Sequence, residues 1–289
     1  MKTHKHCLIC QSKNISGLRK YERHFLNYCL NCGFVFSERI PSHRELEEHY
    51  KGYSRDDYLS PLTIKRYNEL LDYFEQFRKT NNLLDIGCGM GYFLVEAKKR
   101  GWNVFGTEFT DTAIKICKQK EISMKKGVFN PKNYKTKAFD IITSFEVIEH
   151  INNPLFEVAN YYEALRKNGM LYITTPNFNS LLRYRMQENY NVITYPEHLS
   201  YYTPKTINNL LTLTGFKKSF SKSTGISITR LRTSQGKSNQ KYISKSSDDE
   251  KIRNKIENNV LLKIFKTTLN HSLSFFGVGD SLKVLYIKK

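Results

Sequence analysis

Apolar residues in the middle of this chain fall into short runs separated by segments of helical period. Leu83-Leu84-Asp85-Ile86 has strand length, and residues 92–100 after it repeat apolar positions at helical spacing. The alternation continues with a strand at 103–107, a helix at 110–121 with Ile114 and Cys117 facing in, and a weaker strand at 124–128. Residues 139–145 are almost continuously apolar, as a strand buried on both faces of a parallel sheet must be. Pro154 opens a helix that Gly169 closes, and a fifth strand covers 170–174. An insertion at 178–195 has a helical centre, and Thr203-Pro204 caps a helix ending at Gly215. Strands at 217–221 and 281–287 are expected to complete the sheet as an antiparallel pair. The pattern predicts an α/β fold, a doubly wound sheet of seven strands.

The flanks read differently. Residues 1–40 are cysteine-containing and short of core residues. Residues 41–80 read as a helical connector, with Ser42 as a cap and Ile64, Tyr67, Leu70, Leu71 and Phe74 on one helical face. Residues 81–216 carry the strand–helix alternation, and 217–289 hold the closing strands around a loop and a helix. The loop, 221–249, is rich in Ser, Lys, Thr and Gln and is expected to be mobile. In the helix, 250–276, Ile252, Ile256, Val260, Leu261, Ile264 and Phe265 keep helical spacing. That face is expected to pack on the domain, while lysines on the other could touch an anionic membrane surface.

Two Cys-x-x-Cys pairs, Cys7/Cys10 and Cys29/Cys32, stand 18 residues apart. Each suits a knuckle with both thiolates on one side, and two knuckles make a tetrahedral site for structural Zn²⁺. A segment with so little core would draw much of its folding energy from the metal. Short strands on either side of Cys29 and Cys32 complete a zinc-ribbon pattern.

The second chemical signal is the turn Gly87-Cys88-Gly89-Met90-Gly91 between the first strand and the first helix. Glycines allow positive φ and a close ligand approach. Asp85 precedes the turn, and Glu108 ends the next strand 23 positions later, where a doubly wound sheet offers a carboxylate to ribose hydroxyls. The spacing is Gly-x-Gly-x-Gly, which differs from that of dinucleotide enzymes. It points to a nucleoside cofactor.

Residues 83–216 resemble class I S-adenosylmethionine-dependent methyltransferases, in the branch of ubiquinone-biosynthesis O-methyltransferases and bacterial sugar methyltransferases. The resemblance rests on Asp85 through Gly91, on Glu108, on Phe139 through His150, and on Glu197 through Pro204. It implies a Rossmann-like methyltransferase sheet that binds S-adenosylmethionine through Asp85, Gly87, Gly89, Gly91, Glu108 and Phe109, with Phe145 and Glu146. It links Glu146, Glu149 and His150, at i, i+3 and i+4, to a divalent cation such as Mg²⁺; hydrogen bonding to the floor of the site is the other reading. Where many relatives carry an acid for the adenine amine, this chain has Phe129-Asn130. Tyr53 or Tyr58 could help close a lid. His198, with His150 as the alternative, is the candidate base or acceptor-binding residue.

The formal charge of +19 fits an acidic partner. The expected acceptor is a small or carrier-linked molecule, plausibly the hydroxyl of a sugar or cell-surface polysaccharide precursor. The alternative is ribosomal RNA held by the ribbon and the basic tail, and a third reading is a non-enzymatic binding module. Residues 1–7 lack the apolar core of a signal peptide and no run could span a bilayer, so a cytoplasmic location is expected.

Overall fold

The computed structural model describes residues 2–50, 59–134, 139–237 and 248–289. Tyr53 and Tyr58 lie outside the described residues. The chain opens with strands β1 (Lys2–Thr3), β2 (Ile15–Gly17), β3 (Leu26–Cys29), β4 (Val35–Ser37) and β5 (Arg39–Ile40), followed by helices α1 (His43–Tyr50) and α2 (Pro61–Phe74). The Ser60 hydroxyl accepts the Leu62 N–H and Pro61 occupies the first turn, which fixes where α2 starts.

The expected alternation then unfolds: β6 (Asn82–Ile86), α3 (Tyr92–Lys99), β7 (Asn103–Glu108), α4 (Asp111–Gln119), β8 (Ser123–Lys126), β9 (Phe139–Phe145), α5 (Pro154–Ala164) and β10 (Leu165–Pro176). Next come α6 (Leu181–Met186), β11 (Ser200–Tyr201), α7 (Pro204–Leu213), β12 (Phe216–Thr224), α8 (Ile228–Ser234), α9 (Asp248–Glu257), α10 (Val260–Phe276) and β13 (Ser281–Lys288). Seven strands form one sheet in the order β12-β13-β10-β9-β6-β7-β8, with β13 antiparallel to both its neighbours. The chain runs outward from β6 to β8 and returns on the other side at β9, so the topological switch point lies where β6 and β9 end.

Register explains the two faces. Leu83 pairs with Ile141 and Leu84 with Ile142. Leu83 and Ile141 pack toward α2 and α3 with Leu71, Phe74, Phe93 and Trp102. Leu84 and Ile142 pack the other way, among Val158, Tyr161 and Leu210 of α5 and α7. Period-2 alternation inside a run apolar on both sides produces this division.

Several expectations change. The strand at 124–128 is β8, one residue earlier and shorter, because Gly127 takes φ +92°. The segment 221–249 holds the end of β12 and all of α8, which is capped by Ser227 accepting the Arg230 N–H. The helix expected over 250–276 is two helices; the Asn259 side chain accepts the Leu262 N–H and starts α10 afresh. Its expected inward face turns outward, because Val260, Leu261, Ile264 and Phe265 are exposed and Leu273 is the residue α10 buries.

The cysteine segment packs on the main sheet's neighbours. β11 joins β4, β3 and β2 in a second sheet through the pairs Ser200–Phe36 and Tyr201–Val35. Cys7, Ile9, Phe34 and Phe36 share a core with the α5–α7 side, and Phe34 lies 5.2 Å from the Tyr202 ring.

Asp140, fully buried at the start of β9, accepts N–H bonds from Lys79, Thr80 and Asn81 at 2.7–2.9 Å and pairs with Arg166. It ties the entry of β6 to the start of β10. Removing one partner of such a buried pair strands the other, so Asp140→Ala is expected to cost about 3–5 kcal/mol. Urea unfolding followed by circular dichroism would read this.

Candidate cofactor and acceptor site

The turn after β6 places Gly87, Gly89 and Gly91 at φ +63°, +53° and +71°. A Cβ on Gly87 would meet Val147 Cγ2 at 2.6 Å, and one on Gly91 would meet Ile122 Cδ1 at 2.6 Å. Glycine is therefore required twice over, by conformation and by space. The Glu108 carboxylate accepts the Gly89 N–H at 3.0 Å, the Phe109 N–H at 2.7 Å and the Thr110 N–H at 3.3 Å. One side chain thus joins the turn to the start of α4. Thr107 receives the Gly87 N–H on its hydroxyl and the Cys88 N–H on its carbonyl.

Asp85 is buried and accepts the Thr143 hydroxyl at 2.7 Å. Phe109 is exposed beside the turn. Phe145, at the end of β9, packs edge-on to Phe93 at 5.0 Å and to Tyr172 at 5.8 Å. Asn130 is engaged locally, since its side-chain Oδ1 accepts the Lys132 N–H. Cys117 is a buried helix residue, as expected.

Past β9 the chain does not continue as the helical turn that would align Glu146, Glu149 and His150. Glu146 takes φ +54°, its carboxylate lies 3.8 Å from Arg230, and only then does a 3-10 turn (Ile148–His150) follow. A non-glycine residue at positive φ stores strain, a trait of functional sites. The cation set expected at Glu146, Glu149 and His150 therefore does not assemble. The groups that converge are Glu149, His150 and His198, with ligand atoms within 4.8 Å of one another. Two imidazoles and one carboxylate are a poor match for Mg²⁺, which prefers oxygen.

His150 Nδ1 donates to the Glu197 carbonyl at 2.7 Å, and His198 Nδ1 donates to the Val192 carbonyl at 2.6 Å. A carbonyl only accepts, so each ring keeps its lone pair on Nε2. The rings meet edge to face at 4.8 Å. Burial lowers both pKa values, that of His198 to about 3, and the neighbouring ring lowers His198 further. Burial pushes the Glu149 carboxyl well above its ordinary value, with Glu146 adding to the shift, although Thr175 donates a hydroxyl at 2.9 Å.

Arg230 and Thr175 were not legible as site residues. Arg230 sits in a segment that reads as loop, and nothing local marks a side chain that will cross to Glu146.

Cys7 and Cys32 sulfurs stand 3.5 Å apart, as do those of Cys10 and Cys29, and all four lie within 4.8 Å. Each pair sits on a tight turn: the Gln11 N–H reaches the Cys7 carbonyl and the Gly33 N–H the Cys29 carbonyl. This segment is tied to the histidines. The Ser37 N–H donates to the Leu199 carbonyl, and the Leu199 N–H donates to the Glu149 carbonyl, each at 2.8 Å. His4 reaches Asn152 at 2.7 Å.

A seven-stranded sheet of this order, with a glycine turn at its switch point, has the Rossmann-like architecture of the class I methyltransferases. The methyltransferase-domain family matches residues 58–219, more than half the chain, and the chain belongs to that family. A ubiquinone biosynthesis O-methyltransferase of Pelagibacter ubique (strain HTCC1062) is 32% identical over 104 residues, 34% of this chain and 43% of that protein. The protein of the same name from Actinobacillus pleuropneumoniae serotype 7 (strain AP76) is 28% identical over 123 residues, 37% of this chain and 52% of its own. The chain spans about half the length of these curated relatives.

Among solved structures, a SAM-dependent methyltransferase from Archaeoglobus fulgidus gives a TM-score of 0.53 at 20% identity, covering 86% of this chain and 100% of that one. Phosphoethanolamine N-methyltransferase 2 from Haemonchus contortus, in complex with S-adenosyl-L-methionine, gives 0.55 at 18% identity, covering 88% and 61%. Both share the fold.

Val147 is β-branched and stiff, so it yields little to a methyl group at Gly87. Gly87→Ala is expected to lose about 1–3 kcal/mol by overpacking. Gly17→Ala, at a position with nothing within 4 Å of the added Cβ, should stay within about 0.5 kcal/mol of the parent. The two denaturation midpoints decide the matter.

Proposed function

We propose that the chain is an S-adenosylmethionine-dependent methyltransferase acting on a hydroxyl of a small acceptor. The observation that carries this reading is the glycine turn held at its centre by Glu108. An ionised carboxylate offers about four acceptor positions. Three N–H groups use the Glu108 oxygens, which leaves capacity for a ribose hydroxyl. Gly87, Gly89 and Gly91 would let the nucleoside approach the backbone, and Asp85, Phe109, Phe145 and Glu146 would line the rest. S-adenosylmethionine, when bound, supplies a methyl group already activated by its sulfonium. The protein's part is alignment of the acceptor and removal of its proton.

His150 and His198 suit that second task. Each presents Nε2 as an acceptor, because Nδ1 is committed to a backbone carbonyl. In this reading His150 takes the acceptor's proton. The cation so formed stands 3.9 Å from the Glu149 carboxyl and favours its ionised form. His198, the more strongly depressed of the two, stays neutral, and its Nε2 can accept a hydrogen bond from a second hydroxyl of the acceptor. The relatives' names support a hydroxyl acceptor; the glycan and RNA acceptors expected from the sequence have no counterpart among them.

Residues 1–40 act in this reading as a metal module, 81–216 as the cofactor domain and 217–289 as its completion, with 41–80 as connector. Four thiolates about 2.3 Å from one ion lie about 3.8 Å apart. The cysteine sulfurs, paired at 3.5 Å, fit Zn²⁺.

Titration calorimetry tests the cofactor reading: binding of S-adenosylmethionine is expected, weakened about 10- to 100-fold in Glu108→Gln. No heat from the folded parent protein would sink the proposal. His150→Ala and His198→Ala should keep cofactor affinity and lose turnover. Because burial holds both imidazoles neutral below the ordinary histidine value of 6.5, the acid limb of kcat/KM should fall below that pH. A limb above it argues against these bases. Zinc analysis should return one ion per chain, and chelation should abolish turnover through the Ser37–Leu199–Glu149 link before it abolishes cofactor binding.

A further inference from the structure

α10 carries an apolar face that nothing among the described residues covers. Val260, Leu261, Ile264, Phe265, Phe275 and Phe276 are each 59–84% exposed. At about 100° per residue, all six fall within one sector of roughly 160°. Thr268, His271 and Ser272 share the middle of that sector. The opposite sector carries Leu262, Leu269 and Leu273, of which Leu273 is buried.

The orientation is held by polar contacts on the domain side. The Ser223 N–H donates to Ser274 Oγ at 2.9 Å, Ser274 Oγ donates to the Ser223 carbonyl at 3.1 Å, and the Gly225 N–H donates to Asn270 Oδ1 at 2.9 Å. Rolling the apolar face inward would break all three. Leu181 of α6, itself exposed, donates its N–H to the Val278 carbonyl just past the C-terminus of α10.

Charge selects the occupant. α10 has two lysines, Lys263 and Lys266, and no acid. Residues 217–289 hold 16 Lys/Arg against 5 Asp/Glu, so +11 of the chain's +19. A second copy would bring like charge against like charge. Lys263 and Lys266 lie behind the apolar sector, so an anionic surface gains from burial of that sector and, at longer range, from the excess of cations in residues 217–289. We infer that α10 seats this protein on an anionic membrane surface, with its six apolar side chains entering the boundary between headgroups and acyl chains. No described helix is long and apolar enough to cross a membrane, so the contact is one of lying on the surface. The inference stands independently of the acceptor and of catalysis.

Sedimentation of the full chain with vesicles tests it. One set is phosphatidylcholine alone, and the other is phosphatidylcholine with phosphatidylglycerol. Binding to the anionic vesicles should exceed binding to the neutral ones about tenfold and weaken as salt is raised. Ile264→Gln/Phe265→Gln and Phe275→Ser/Phe276→Ser should each lower it about tenfold or more. These positions are exposed, so the variants should melt like the parent and keep their affinity for S-adenosylmethionine. Failure to sediment with anionic vesicles, or unchanged binding by both variants, overturns the proposal. A concentration-dependent dimer in ultracentrifugation, lost in the variants and accompanied by no vesicle binding, gives the face to a second copy and overturns it as well.

Discussion

The turn between β6 and α3 tolerates hydrogen atoms where other residues carry a Cβ, and much of the site follows from that restriction. Val147 presses on it from just past β9, Cys117 from within α4 and Ile122 from just beyond α4. Glu108 then pulls the middle of the turn toward the end of β7 with a charge-assisted hydrogen bond. Strand ends three neighbours wide are thereby locked to one another at the topological switch point. A nucleoside can approach backbone there because side chains have been kept away.

The cysteine segment matters to the site by continuity of hydrogen bonding. β11 belongs to its sheet, and Leu199, the residue before β11, hands one bond to Ser37 and another to Glu149. A run of backbone hydrogen bonds through Ser37, Leu199 and Glu149 therefore joins the cysteine segment to the residue before His150. His150 and His198 are further held through the carbonyls of Glu197 and Val192, both in the segment that leads into β11. Folding the first forty residues correctly is, on these contacts, part of orienting both rings.

Burial is distributed unevenly. Glu149 and Asp140 sit inside the protein, whereas four phenylalanine and isoleucine side chains of α10 face water. Asp140 tolerates burial because three N–H groups and Arg166 surround it, whereas for Glu149, with the Thr175 hydroxyl as donor, burial favours the neutral form. The aromatic side chains have no such reason to stand outside, and their exposure next to a lysine-rich segment gives α10 a use other than filling the core.

Local pattern was enough for what depends on neighbours in sequence. Periodicity marked the strands from β6 to β10, because a buried parallel strand must be apolar throughout. Glycine spacing marked the turn after β6, because only glycine fits there, and paired cysteines marked the knuckles. Residues 83–86 and 139–145 were placed to within a residue for that reason. The composition of 221–249 hid α8 and Arg230, since a serine cap and about two turns of helix leave little trace among polar residues. Helical spacing put Glu146 on the same face as Glu149, but a positive φ at Glu146 turned it toward Arg230 instead. Helical spacing likewise found the apolar sector of α10 yet could not tell inside from outside. Which side of a helix meets the core is set by its hydrogen bonds to a distant strand, here Ser223 and Gly225, and sequence periodicity carries no term for a partner that far away.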